Sequence, residues 1–172
     1  MKTRKPIAYL AGPLGFSELG QLLHKNLIKP MIIDLGFEIR DPWILTPQEV
    51  IDSALKLPFG LEQRAQWRRV NPILGRNNAQ GIMESDVIPA VLDGTDVDSG
   101  TSGEIGLAFA SGKVIIGYRG DFRPSGDNIG TIVNLQIEHF IFESGGTIAT
   151  SLADWRKELK LFRDKFYAMQ TK

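Results

Sequence analysis

An apolar run ends at Leu92, and the stretch from there to Gly112, LDGTDVDSGTSGEIGLAFASG, gathers Asp93, Asp96, Asp98 and Glu104 among glycines and small residues. The spacing predicts a helix with Glu104 in its first turn. There the unpaired backbone N–H groups and the positive end of the helix dipole favour an ionised carboxylate. Such a carboxylate is a nucleophile, and glycines such as Gly103 leave space beside it for a ligand. Asp98 adds a second carboxylate at the same loop-helix junction. The pair suits attack at an acetal-like carbon by one group while the other positions the substrate or handles a proton, which points to glycosyl chemistry. Gly100, Gly103 and Gly106 are spaced G-x-x-G-x-x-G and follow the third strand, unlike the G-x-G-x-x-G that follows the first strand of a dinucleotide-binding unit. Two plainer readings of the same residues stay open. Glu104 can simply complement the dipole of a polar turn, or Asp93, Asp96 and Asp98 can surround a divalent cation.

These residues need a scaffold, and the rest of the chain predicts one. Pro6 to Leu10 reads as a buried first strand ended by Gly12-Pro13. Ser17 caps a helix carrying Leu22, Leu23, Leu27, Met31 and Leu35, which Pro30 kinks or divides and Gly36 ends. Phe37 to Trp43 is a second strand, and Thr46-Pro47-Gln48-Glu49 reads as a capping box opening a helix to about Leu57. Leu61 to Glu84 predicts helix with a break between Asn71 and Gly75. Asp86 to Leu92 is the third strand, although Pro89 gives no ladder hydrogen bond. Lys113 to Tyr118 is a β-branched fourth strand, followed by a mobile Gly-rich loop from Arg119 to Gly130. Val133 to Phe142 reads as a short helix, Thr147 to Thr150 as the last strand, and Ser151 with Asp154 caps a helix to about Gln170.

Apolar strands alternating with helices predict an α/β fold, a flavodoxin-like doubly wound parallel sheet of five strands in the order 2-1-3-4-5 with helices on both faces. Ligands of such sheets bind at the carboxyl ends of the strands beside the switch point. That rule brings the loop from Tyr9 to Phe16 next to the loop from Asp93 to Glu104.

The chain has 172 residues and reads as one domain, residues 1–172, large enough for a core of its own. Lys plus Arg and Asp plus Glu are 20 each, so the net charge is zero and no broad basic surface for nucleic acid is implied. With no cysteine, disulfides, thiolate nucleophiles and cysteine-based zinc sites are out of consideration. His24 and His139 read as surface or satisfied helix histidines. The apolar part of the amino terminus is too short for a signal segment, and no stretch approaches a membrane span, so no membrane partner and a cytoplasmic location are expected.

Tyr9-Leu10-Ala11-Gly12-Pro13 on the first strand, DSGTSGEIGLAFA from Asp98 to Ala110, Asp121-Phe122-Arg123 and Asn134-Leu135 together resemble the nucleoside 2-deoxyribosyltransferases. The likeness runs from Tyr9 to Asn134. It implies that Glu104 attacks the anomeric carbon of a 2′-deoxyribonucleoside, expels the base and holds a covalent 2-deoxyribosyl ester until a second free nucleobase attacks, with net retention. By the same resemblance Tyr9 hydrogen-bonds the nucleophile and Asp98 binds the 5′-hydroxyl. Asn134 reaches the 5′-hydroxyl in a neighbouring protomer, which implies at least a dimer. No cofactor is implied, since the chemistry uses side chains alone.

Asn78 departs from the pattern, because many members carry there an acid that assists the departing base. An amide hydrogen-bonds a base but cannot protonate it, which makes Asp93 or Asp96 a candidate substitute. Gly12, Phe16, Asn78, Asp93, Gly103 and Asn134 are the expected substrate-binding residues, with Phe16 and Trp43 as stacking candidates. Three alternatives remain: a nucleoside or 5′-nucleotide N-glycosidase on the same scaffold, a nucleotide phosphoribohydrolase sharing the G-T-x-x-E of Gly100 to Glu104 but lacking the usual preceding Pro-Gly-Gly, and a non-catalytic nucleotide-binding domain.

Overall fold

Short apolar runs, bounded by glycine, proline and polar residues, form five parallel strands: β1 (Ile7–Tyr9), β2 (Glu38–Arg40), β3 (Val87–Val91), β4 (Val114–Tyr118) and β5 (Thr147–Ala149). Their order across the sheet is β2-β1-β3-β4-β5, as the alternation of elements predicts. The computed structural model of the protein describes residues 4–171.

Successive strand residues point to opposite faces, and each face is roofed by helices. On one side Tyr9, Ala11, Ile88, Ala90 and Leu92 pack under α4 (Leu61–Glu84), α5 (Ser99–Ala110) and α6 (Leu135–Glu143). On the other, Ala8, Leu10, Val87 and Val91 pack under Ile28, α2 (Lys29–Asp34) and α7 (Leu152–Gln170), while α1 (Glu18–Leu23), which leads into α2, is exposed apart from Gly20. A short helix α3 (Gln48–Leu55) lies against α4.

Several local expectations give way to tertiary context. The helix from Glu18 runs through a π-helical turn, His24–Ile28, straight into α2 with Pro30 in its first turn, so the proline is absorbed without ending the helix. Gly36, at φ 94°, ends it as expected. The second strand stops at Arg40 and leaves Trp43 in a loop. The capping box does not form: Pro47 occupies the cap without a side-chain bond, and Thr46 Oγ1 instead accepts 2.9 Å from Asn77 Nδ2. Helix α4 is unbroken over 24 residues, with Pro72 inside it on an exposed face.

The loop from Arg119 to Gly130 is tied down at several points, against the expectation of a mobile segment. Arg119 is buried and donates to the carbonyls of Leu92, Gly94 and Arg123. Asp127 Oδ2 accepts from Leu135 N at 2.6 Å, at the start of α6. In the middle of the sheet, β1 and β3 pair at Ala8 with Val87 and again at Ala11 with Ala90. The ladder lapses between them, where Pro89 has no N–H to give. Among the described residues no helix is long and apolar enough to cross a membrane.

Candidate functional site

At the carboxyl ends of β1 and β3 a cavity of about 440 Å³ opens beneath α4 and α5. Glu104, Asp98, Gly12, Phe16 and Asn78 all line it, so the loops after the two strands do meet.

Glu104 sits in the second turn of α5, because the helix starts at Ser99 with Asp98 as its N-cap. The dipole argument for an ionised carboxylate therefore loses its basis. Burial pushes the Glu104 carboxyl up to about 7, the hydrogen bond from Tyr9 acts in the opposite sense, and the nearby charge of Asp98 adds to the rise. Tyr9 is fully buried on β1 and donates its hydroxyl to Glu104 Oε1 at 2.6 Å. Burial first, then the charge of Glu104 and this hydrogen bond, raise the Tyr9 phenol well above its ordinary pKa, so it stays a donor. Gly81 lets α4 come close to Tyr9, since a Cβ there would stand 3.1 Å from the Tyr9 ring.

Asp98 Oδ2 accepts from the backbone N–H of Thr101 at 3.0 Å and from its hydroxyl at 3.2 Å. The carboxylate thus fixes the start of α5 while lining the cavity. Gly12 has φ 152°, and a Cβ there would approach Val91 Cβ at 2.9 Å, so this turn requires glycine.

Phe16 is exposed and meets Trp43 edge to face, with ring centroids 4.9 Å apart. Trp43 is held from behind by Asp41, whose Oδ1 accepts from Trp43 N at 3.2 Å and whose Oδ2 lies 3.1 Å from both His24 Nε2 and Lys29 Nζ. Burial alone pushes the Asp41 carboxyl up, but His24, Lys29 and the Trp43 amide bring it below its ordinary value. Gly15 makes room for the indole, because a Cβ there would lie 2.0 Å from Trp43 Cε2. Gly15→Ala is accordingly expected to displace Trp43 and raise KM for the cavity's ligand about tenfold, the usual scale for one methyl group misfitted in a binding pocket. Steady-state kinetics beside a thermal melt checks that the loss lies in binding.

Asp93 and Gly103 stand outside the cavity. Asp93 Oδ1 accepts from the amides of Gly120 and Asp121 at 2.7 and 2.9 Å, which fastens the loop after β4. Gly103 faces open space, and Gly100 lines the wall instead. Asp96 accepts from the amide of Val97 and is also away from the cavity. Asp93, Asp96 and Asp98 do not converge, and no group of three metal-ligating side chains occurs among the described residues. Asn134 caps α6, accepting from Gln136 N at 3.0 Å, and lies outside the cavity of its own chain.

The residues missed from sequence are Trp67 and Leu74 of α4 and Ile51 of α3, which complete the cavity's apolar wall. Trp67, Leu74 and Asn78 recur at helical intervals and share one stripe. The aromatic and amide on an otherwise polar helix were the available signal.

This is a carboxylate held by a buried tyrosine at the switch point of a 2-1-3-4-5 sheet, beside an aromatic cavity. The family model for nucleoside 2-deoxyribosyltransferase matches residues 8–136. The chain belongs to that family. Solved structures share its fold. A conserved protein from Enterococcus faecalis V583 is 21% identical with a TM-score of 0.67, over 92% of this chain and 99% of that one. A 2-deoxyribosyltransferase from Bacillus psychrosaccharolyticus is 22% identical with a TM-score of 0.58, over 87% and 90%. A CMP N-glycosidase from Clostridium botulinum is 20% identical with a TM-score of 0.53, over 91% and 98%. Comparison with curated proteins gives no match.

Proposed function

We propose that the protein exchanges the base of 2′-deoxyribonucleosides by transferring the 2-deoxyribosyl group through Glu104. The observation that carries this reading is the 2.6 Å hydrogen bond from the buried Tyr9 hydroxyl to Glu104 Oε1 at the cavity wall. It leaves Oε2 to attack C1′ while the phenol orients the group and holds the ionised form. As the Oε2–C1′ bond forms, the electron pair of the C1′–N bond leaves with the base. A second base then attacks C1′ through a ring nitrogen from the vacated side, releases its ring proton to solvent and frees the carboxylate, and the two inversions give retention. Asp98 is suited to accept a hydrogen bond from the sugar. Asn134 completes the site of a neighbouring copy in a homo-oligomer.

No cationic side chain occurs among the described residues lining the cavity. That favours an uncharged nucleoside over a 5′-phosphate. The deciding experiment is to incubate the protein with 2′-deoxycytidine and excess adenine and to separate the products chromatographically. New 2′-deoxyadenosine, lost in Glu104→Ala, supports exchange; free cytosine alone means hydrolysis, and no turnover with ligand binding retained means a binding domain.

Tyr9→Phe provides a pH test. The carboxylate is the reactive form, and Tyr9 stabilises it, so removing the hydroxyl raises the Glu104 pKa further above about 7. The break in the pH profile of kcat/KM that reports Glu104 moves to higher pH, and rates below the break fall roughly tenfold for each unit of that shift. An unmoved break rules out the proposed role of Tyr9.

A further inference from the structure

Two consecutive amides on α4 have different fates. Asn77 is spent on Thr46. Asn78 lines the cavity, and its Oδ1 is buried without a hydrogen-bond partner. Native proteins rarely leave a buried acceptor so, because the water it gave up is not replaced. A donor on a bound ligand is the partner that suits this position. Trp43, Ile51, Trp67 and Leu74 share the wall with Asn78, and such aromatic and aliphatic surfaces suit a planar base.

The supply of protons at the same site is limited. A base that leaves C1′ with the bonding pair departs as an anion unless a proton reaches one of its ring nitrogens. Among the described residues, the cavity's only acidic or basic side chains are Asp98 and Glu104. In the exchange reading, on which this inference rests, Glu104 is committed to C1′. Asp98 is engaged as an acceptor at the start of α5. Asn78, on the base-like wall, has no proton to release.

We propose that Asn78 selects bases whose amino group stands beside a basic ring nitrogen, adenine and cytosine, and that the site provides no side-chain acid to the departing base. The exocyclic amino group donates to Asn78 Oδ1. The base takes a proton from solvent onto a ring nitrogen before cleavage; Glu104 Oε2 bonds to C1′, the C1′–N pair returns to the ring, and a neutral base leaves. Thymine and uracil lack a basic ring nitrogen, and hypoxanthine offers a weaker one and no amino group.

The test has a binding arm and a turnover arm. Trp43 and Trp67 line the cavity, so indole fluorescence reports an arriving base without any turnover. Wild-type protein is expected to bind free adenine and cytosine about tenfold or more tighter than thymine and hypoxanthine, and Asn78→Leu to erase that preference. Equal affinity of the wild type for all four bases overturns the selection. In turnover, the titratable groups acting on Glu104 are Tyr9 and Asp98. With a solvent-protonated base, kcat/KM for 2′-deoxyadenosine is level on the acid side of the Glu104 ionisation, because gain of nucleophile offsets loss of protonated base. Above it the value falls tenfold per pH unit. A profile that rises to the Glu104 ionisation and then levels overturns the solvent-proton step. Asn78-dependent adenine binding without turnover of any nucleoside keeps the selection and defeats the exchange reading. Turnover without base preference does the reverse.

Discussion

Glu104→Gln is expected to lower base exchange by at least about three orders of magnitude while nucleoside binding stays within a few-fold of wild type. Glutamine fills the same space and can still accept from Tyr9, so what is lost is the oxygen nucleophile. Mass spectrometry of the wild type, held with a 2′-deoxynucleoside and no acceptor, should show the added 2-deoxyribosyl group, and the variant should not. Stability should change in the opposite direction. The folded-state pKa of Glu104 lies at about 7 against an ordinary 4.5. The folded protein therefore holds this proton more tightly than the unfolded chain, and stability declines as pH rises from about 4.5 to about 7. At pH 8 Glu104→Gln escapes that loss and should melt several degrees higher, an effect of about 1 to 3 kcal/mol after allowing for partial exposure. A variant that is inactive and no more stable at pH 8 would mean that Glu104 is not held as described.

Trp155→Ala carries the largest expected cost to the fold. Trp155 is fully buried where α7 meets the sheet, donates its indole N–H to Ile116 O at 2.9 Å, and packs on Tyr118 with ring centroids 5.3 Å apart. Truncation opens a void and leaves a β4 carbonyl unpaired, which should cost about 3 to 5 kcal/mol and lower Tm by roughly 10 °C. Trp155→Phe keeps most of the packing and loses the hydrogen bond, so its cost should be under half as great. Urea titration of both variants separates the terms, provided that the slope of the transition is unchanged.

The sheet order and the meeting of the β1 and β3 loops were legible because apolar periodicity and the switch-point rule are statements about whole elements. The position of Glu104 was legible only in part. The switch-point rule places it beside the loop after β1, where the cavity lies, but its turn of the helix was not legible, since α5 starts at Ser99 with Asp98 as its cap. Local rules failed where a distant partner competed. Thr46 forgoes its capping box for Asn77, and α4 continues through Pro72, packed against α3 and over β1. Arg119 looked like the first residue of a solvated loop, and only the fold reveals the three carbonyls that it collects.

Pro89 gives the sheet a seam. β3 and β4 are in register from Val87 to Val91, whereas β1 and β3 are bridged at Ala8 with Val87 and at Ala11 with Ala90. Tyr9 stands on one side of that seam, and Glu104, on the helix that follows β3, stands on the other. Their hydrogen bond is thus a clasp across that seam, beside the backbone bonds from Asp86 N to Ile7 O, Ala11 N to Pro89 O and Val91 N to Ala11 O. In the exchange reading, the carboxylate that closes this clasp is also the group that forms the ester, so one hydrogen bond serves both the joining of the two halves and the nucleophile.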